Sequence, residues 1–172
     1  MHIKQIQLKN IRTFENTSMD FSKGIHLITG SNASGKTNLL ESILYLATTK
    51  SIQHRNDKNI ISQDALNNSV LPIAKISAVI ESEQHNHDID MMFSKPIKES
   101  IANDNQGTSR LTKNFRLNGV TKKASDVIGT LRAVYASPND MEIILGSPSE
   151  RRKYLDILIS QFDKDYLKNL QR

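Results

Sequence analysis

The sequence contains no cysteine and no tryptophan, and aromatic residues make up only 5% of its 172 residues. Without cysteine, the chain has neither a disulfide framework nor a thiolate metal site. No apolar run approaches the roughly 20 residues that a membrane-spanning helix needs, so no membrane partner is expected. Residues 1–8 alternate polar and apolar side chains and lack the apolar core of a signal peptide. A cytoplasmic location is therefore expected.

Basic residues outnumber acidic ones by 23 to 18, which gives a net charge of +5 and a pI of about 9.4. This excess favours an anionic partner such as nucleic acid, although many basic proteins bind none. The length suits one domain, or one domain and a piece of another, and it is sufficient to bury a core. A mean hydropathy of -0.46 indicates a soluble chain with polar loops.

The strongest signal in the sequence lies at residues 30–37, which read G-S-N-A-S-G-K-T. They fit the P-loop pattern of glycine, four residues and then Gly-Lys-Ser/Thr. Residues 25–29 form an apolar run typical of a strand, and apolar residues at helical spacing follow from Lys36 to about Thr48. A strand, a glycine-rich loop and a helix are the context that this motif requires. The sequence therefore predicts a nucleotide-binding site.

Each part of this motif has a chemical role. Gly30 and Gly35 let the backbone curl closely round a phosphate tail, and the start of the helix adds free N–H donors. Lys36 is expected to reach the β- and γ-phosphates, and the Thr37 hydroxyl is expected to bind Mg²⁺. Arg12 is either a solvated loop cation or a phosphate contact. The predicted nucleotide-binding residues are Gly30, Ser31, Asn32, Ala33, Ser34, Gly35, Lys36, Thr37, Asn38 and Arg12.

The other elements follow from periodicity and turn residues. Strands are predicted at residues 3–8, 18–22, 73–83, 89–93, 114–118 and 132–136, and helices at 124–131, 138–146 and from 148 onward. Residues 95–113 carry few apolar side chains and are predicted to form a long loop.

The helix predicted to begin at Pro148 carries three cations in its first turn, Arg151, Arg152 and Lys153. Cations at that position oppose the helix dipole. Either an anionic ligand such as DNA or an acidic neighbour inside the fold would explain them. Arg55, in the polar and basic stretch 49–58, is a fourth candidate for contact with DNA.

Two separated stretches resemble one family, the RecF recombination mediators of bacteria, which are relatives of the SMC and ABC-type ATPases. The first stretch comprises residues 8–12 and 30–41, and the second comprises residues 137–141 and 146–156. The resemblance implies an α/β fold, the amino-terminal lobe of an ABC/SMC-type P-loop ATPase. That lobe would have a mixed sheet around the P-loop helix, an antiparallel β subdomain and the start of a helical arm.

The same resemblance implies how the chain is organised and what it binds. The lobe would span residues 1–146, and the truncated arm would span residues 147–172. Its cofactors would be ATP and Mg²⁺. The full-length relative would dimerise on ATP and bind DNA at single-strand/double-strand junctions. There it would help to load the recombinase with RecO- and RecR-type partners.

The sequence departs from the family pattern at several points. Ile11 stands where an aromatic residue is usual, Asn139 where an acidic residue is usual, and Ala33 where the wider superfamily often has glycine. No ABC-type signature run is present, and no apolar strand ends in a Walker B Asp-Glu pair. Because hydrolysis needs a positioned base and Mg²⁺ needs a Walker B acid, weak nucleotide binding and little or no hydrolysis are expected of this chain alone.

Three alternatives remain open from the sequence. A small self-contained P-loop kinase would need Asp140 as a magnesium ligand and Arg151 or Arg152 on a lid. An SMC-type structural ATPase head would need long heptad arms. A pseudo-P-loop, which has the sequence pattern but does not bind nucleotide, would bind no ATP analogue.

Overall fold

The computed structural model describes residues 1–51, 57–69, 71–83, 85–95 and 111–171. It confirms the α/β fold class. The strands are β1 (His2–Ile11), β2 (Phe14–Asp20), β3 (Ile73–Glu81), β4 (Asn86–Ser94), β5 (Thr112–Leu117) and β6 (Val120–Lys122). The α-helices are α1 (Lys36–Thr48), α2 (Gln63–Asn68), α3 (Ala124–Val127), α4 (Met141–Leu145), α5 (Pro148–Ser160) and α6 (Lys164–Leu170), and short 3₁₀ helices span Asp57–Asn59 and Pro138–Asp140.

A six-stranded sheet in the order β2-β1-β3-β4-β5-β6 forms the body of the described structure, and each neighbouring pair is antiparallel. Alternate residues of β3 and β4 are buried on one face, which is the pattern that their polar and apolar alternation predicted. The hairpin of β5 and β6 turns at Asn118 and Gly119, whose φ angles of 51° and 76° suit a two-residue hairpin turn. The predicted antiparallel part of the fold is therefore present.

The P-loop helix α1 belongs to the same hydrophobic core as the buried face of this sheet. Leu39, Tyr45 and Leu46 are buried in that core together with β-strand residues such as Phe93. The rings of Tyr45 and Phe93 meet edge to face, with their centroids 5.2 Å apart. The sheet thus holds the helix whose first turn follows the glycine-rich loop.

Two predicted strands are wrong, because neither residues 25–29 nor residues 132–136 form a strand. Ile25, Leu27 and Val134 are exposed, at 101%, 87% and 71% of their maximal surface. A strand needs a neighbour that accepts and donates its backbone hydrogen bonds, and no strand in the described part of the chain runs beside either segment. The apolar composition of these segments is typical of strands, but the partner that would make either one a strand is missing from the described sheet.

Gln161 binds the backbone of one of these segments. Its side-chain Oε1 accepts a hydrogen bond from the Ala133 N–H at 2.8 Å, and its Nε2 donates to the Ala133 carbonyl at 3.2 Å. Gln161 is 3% exposed, so its side-chain amide is buried, whereas Ala133 is half-buried. The side-chain amide therefore provides the donor and acceptor that a neighbouring strand would otherwise offer to residue 133.

The carboxyl-terminal helices contact the segment around α3. Lys164 Nζ donates to the carbonyls of Ser125, at 2.9 Å, and of Ile128, and Arg132 stacks over the Phe162 ring at 4.8 Å. Burial lowers the pKa of Lys164, while Asp126 acts in the opposite direction. The predicted division of the chain at residues 146 and 147 stays a prediction.

Several helix boundaries differ from the predicted ones. The predicted helix 124–131 ends at Val127, and Gly129 follows with a φ of 87°. The helix predicted from 148 onward is interrupted, because Asp163 starts α6 by accepting hydrogen bonds from the N–H groups of Asp165 and Tyr166. Of the predicted loop 95–113, residues 96–110 lie outside the described residues, and β5 already begins at Thr112. None of the described helices is long and apolar enough to cross a membrane.

Candidate nucleotide-binding site

The predicted P-loop lies in front of α1 and has the backbone shape that its sequence suggests. Gly35 is the N-cap of α1, and its φ of 96° and ψ of 4° lie in the left-handed region that favours glycine. A Cβ atom on Gly35 would lie 2.8 Å from Thr13 Oγ1, which is closer than such atoms normally approach, and 3.0 Å from the Phe14 ring, which is a tight contact. Conformation and space thus both favour glycine at this position.

Ala33 occupies the position where the wider superfamily often has glycine, and its φ of 65° is also left-handed. An L-residue in this region costs about 1–2 kcal/mol, so the loop tolerates some strain here. Ala33 is exposed on the loop. The loop therefore accepts alanine in a left-handed conformation at the position where the wider superfamily often has glycine.

Lys36 reaches back over the loop that precedes it. Its Nζ donates to the Gly30 carbonyl at 2.8 Å and to the Ser31 carbonyl at 2.7 Å. The loop closes further through a hydrogen bond from the Ser34 N–H to the Ser31 carbonyl at 3.3 Å. The ammonium group is thus already positioned over the loop where a phosphate would bind.

The start of α1 is open to a ligand. No side chain in the described part of the chain caps its first turn, so its N–H groups and positive dipole end remain available for an anion. A cavity of about 150 Å³ lies at this point and is lined by Ala33, Gly35, Lys36, Thr37 and Asn38. The structure therefore brings these predicted residues together, and the exposed Thr37 is accessible for Mg²⁺.

The remaining predicted residues of the loop also lie at this site. Ser31, Asn32 and Ser34 are exposed on the loop itself. Asn38 is half-buried, and its side-chain Nδ2 donates to Thr13 Oγ1 at 3.0 Å. Thr13 was missed by the sequence reasoning because it is 25 positions away from Asn38 and belongs to no motif.

Arg12 lies in the turn between β1 and β2, beside α1. Its guanidinium forms an ion pair with Glu41 at 2.9 Å, and the two side chains are 18% and 11% exposed. Its N–H donates to the Ile60 carbonyl at 2.9 Å. The sequence reasoning considered a solvated cation or a phosphate contact, whereas in this structure Arg12 pairs with a carboxylate on the P-loop helix.

The far end of α1 is anchored by a second polar cluster. Lys113 on β5 forms an ion pair with Asp57 and lies 5.5 Å from the Tyr45 ring centroid. The Ser51 N–H donates to Asp57 Oδ1 at 3.0 Å. Burial, together with the nearby Asp57 carboxylate, raises the pKa of Tyr45 well above its usual value. These contacts fix the end of α1 that faces away from the loop.

The predicted DNA contacts are not equivalent in the structure. Arg151 Nη1 donates to the carbonyls of Ile144 and Gly146 at 3.3 and 3.2 Å, so it binds the end of α4. Arg152 and Lys153 are exposed, and Lys153 lines a cavity of about 370 Å³ near the carboxyl end of α1. Arg55 lies outside the described residues. Contact with DNA by these residues stays a prediction.

Comparisons with known proteins agree with the geometry of the loop. Residues 5–171 match the family described as the AAA domain. Over the whole chain, 32% of residues are identical to the DNA replication and repair protein RecF of Herpetosiphon aurantiacus, and 36% are identical to that of Clostridium novyi. The chain covers 44% and 42% of these two proteins, so it spans less than half of their length.

Solved structures give the same result. The chain superposes on the recombination mediator protein RecF with ATP at a TM-score of 0.78 and 29% identity, covering 99% of this chain and 42% of that one. A second RecF structure, described with ATPrS, gives a TM-score of 0.79 and 27% identity, covering 99% of this chain and 41% of that one. The resemblance to RecF inferred from the two sequence stretches is confirmed.

Proposed function

Because the chain belongs to the AAA domain family and resembles RecF proteins over its full length, we propose that it is the nucleotide-binding part of a RecF-like DNA replication and repair ATPase, and that it binds ATP. The observation that carries this proposal is the glycine-rich loop before an uncapped helix, with the Lys36 ammonium already held over it. Such a helix start attracts phosphate through its free N–H groups and its dipole.

Mg²⁺ would bind at Thr37. The hydroxyl of this residue is exposed in the first turn of α1, next to the cavity that the triphosphate would enter. When bound, the metal would neutralise phosphate charge, and in P-loop proteins it is also held by a Walker B acid. The sequence has no such strand, so we expect this chain to bind Mg-ATP weakly and to hydrolyse it little or not at all.

Titration calorimetry with Mg-ATP tests nucleotide binding. We expect a single site that Lys36→Ala weakens about 10- to 100-fold, because a hydrogen bond to a charged group contributes about 1.5–3 kcal/mol. Lys50→Ala is the matched control, since Lys50 is an exposed lysine that follows the other end of α1. Circular dichroism would establish that each variant is folded. Absence of binding by the folded parent chain would refute the proposal.

DNA, a second copy of the chain and RecO- and RecR-type mediators are proposed as the partners of the whole protein. The RecF names and the RecFOR pathway of the similar structures support this. The net charge of +5 is compatible with an anionic partner. Single-strand/double-strand junctions are the proposed DNA target, and help in loading the recombinase is the proposed outcome. The measurement is fluorescence anisotropy of a labelled junction over a series of salt concentrations.

The kinase alternative finds no support in the structure. Asp140, its candidate magnesium ligand, accepts a hydrogen bond from the Ser137 N–H at the start of a 3₁₀ turn. Arg151, its candidate lid residue, binds the end of α4. Both side chains therefore have structural partners, whereas the RecF-like function needs neither of them as a catalytic group.

A further inference from the structure

We propose that Thr13 is a positioning residue for the nucleotide site. Its hydroxyl holds the Asn38 amide toward the β1–β2 turn and so keeps that amide from capping the first turn of α1. The N–H groups of the turn then remain available for phosphate. This inference rests on the proposed nucleotide binding and assigns a role to a residue outside the P-loop motif.

The β1–β2 turn is fixed to α1 at three successive points. Thr13 Oγ1 accepts a hydrogen bond from Asn38 Nδ2 at 3.0 Å. The side chains of Thr13 and Phe14 occupy the space beside Gly35 that a Cβ atom would need. One helical turn further along, Arg12 forms its ion pair with Glu41 at 2.9 Å. The turn is therefore held against the loop and the helix start together.

The position of Asn38 gives the Thr13 hydrogen bond its significance. With Gly35 as the N-cap, Asn38 is the third residue of α1. A polar side chain at this position can bend back and accept a hydrogen bond from the N-cap N–H, as in a capping box. Asparagine has both an acceptor oxygen and a donor NH₂ group, so it is chemically suited to do this.

In the structure that cap is not formed. No side chain among the described residues caps α1, and the Asn38 amide is instead bound by Thr13. Phosphate oxygens and a side-chain cap compete for the same N–H groups at a helix start. Release of Asn38 would therefore place an internal competitor at the phosphate site. A competing cap of ordinary strength would weaken nucleotide binding about five-fold.

The test is a double-mutant cycle measured by Mg-ATP titration. Thr13→Val keeps the shape of the side chain but removes the hydroxyl, and we expect about five-fold weaker binding with an unchanged melting temperature. Thr13→Ser keeps the hydroxyl and is expected to bind as the parent chain does. Thr17→Val, on β2 of the same hairpin, is the matched control for the chemical change.

Asn38→Ala removes the proposed competitor and completes the cycle. In that background we expect Thr13→Val to have no further effect on the dissociation constant. Three results would overturn the inference. The first is equal binding of Mg-ATP by Thr13→Val and the parent chain. The second is that Thr13→Val weakens binding as much in the Asn38→Ala background as in the parent chain. The third is a loss of affinity in Thr13→Val that is accompanied by a fall in its melting temperature. If the folded parent chain binds no Mg-ATP, the proposed function fails first and this inference fails with it.

Discussion

Substitution of two glycines with similar backbone angles can separate conformational strain from steric conflict. Gly119 and Gly129 have φ angles of 76° and 87°. A Cβ atom on Gly119 would have nothing within 4 Å, whereas one on Gly129 would lie 2.6 Å from the backbone carbonyl oxygen of Gln161. Gly119→Ala therefore measures the cost of the left-handed conformation alone, and Gly129→Ala adds a clash with main chain.

The magnitudes follow from these two terms. A left-handed L-residue costs about 1–2 kcal/mol, and the lower entropy of the unfolded alanine chain returns about 0.5–1 kcal/mol. We therefore expect Gly119→Ala to lower the free energy of unfolding by roughly 1 kcal/mol. Overpacking adds about 1–3 kcal/mol at Gly129, because the opposing atom is backbone and cannot rotate away.

Urea unfolding followed by far-UV circular dichroism would compare the two variants. Hydrogen exchange would locate the damage, and we expect faster exchange in α6 for Gly129→Ala only, because the clash separates the α5–α6 junction from the segment after α3. Equal losses of stability in the two variants would refute the reasoning. They would mean that residues 147–171 are not held against Gly129 and behave as an independent arm.

Two further predictions concern surface charge and pH. The double variant Arg152→Ala and Lys153→Ala should bind junction DNA more weakly, with a flatter salt dependence and an unchanged melting temperature. Arg151→Ala should instead lower the melting temperature, because the hydrogen bonds from Arg151 to the carbonyls at the end of α4 are lost. An unchanged salt slope in anisotropy would contradict the first expectation. The second prediction concerns Asp90. Burial raises the pKa of its carboxyl group, but hydrogen bonds from Lys75 and Ser77 outweigh burial and hold that pKa below its usual value. A depressed carboxyl pKa stabilises the fold above the unfolded value of about 3.9. Asp90→Asn should therefore be less stable than the parent near neutral pH, and the difference should disappear as the pH falls through the folded pKa. If acid-unfolding measurements show that the stability difference between Asp90→Asn and the parent persists below the folded pKa, the proposed effect of Lys75 and Ser77 on Asp90 is contradicted.

The sequence predicted best those features that depend on neighbouring residues. Helix α1 runs from Lys36 to Thr48 as predicted, because the apolar spacing, the glycine before it and the lack of internal breakers all act locally. The start of α5 at Ser147 and Pro148 was predicted correctly for the same reason. The pattern of buried residues in β3 and β4 followed directly from their alternation.

Features that depend on distant partners could not be predicted. Segments 25–29 and 132–136 have the composition of strands, but strand formation is decided by a neighbour elsewhere in the chain. The contacts Arg12–Glu41 and Thr13–Asn38 join a β-turn to a helix, and no periodicity marks either pair. The interruption between α5 and α6 did have a local signal, since Asp163 is a good N-cap, but continuous apolar spacing concealed it.

Lys36 also affects the electrostatics of its own loop before any ligand binds. Its ammonium group screens the carbonyl oxygens of Gly30 and Ser31, which would otherwise present partial negative charge to an incoming phosphate. Removal of the lysine therefore has two consequences, because an attraction is lost and two electronegative atoms are uncovered. The effect of Lys36→Ala on affinity is the sum of both. A neutral side chain that still hydrogen-bonds to these carbonyls, as in Lys36→Gln, would restore only the screening.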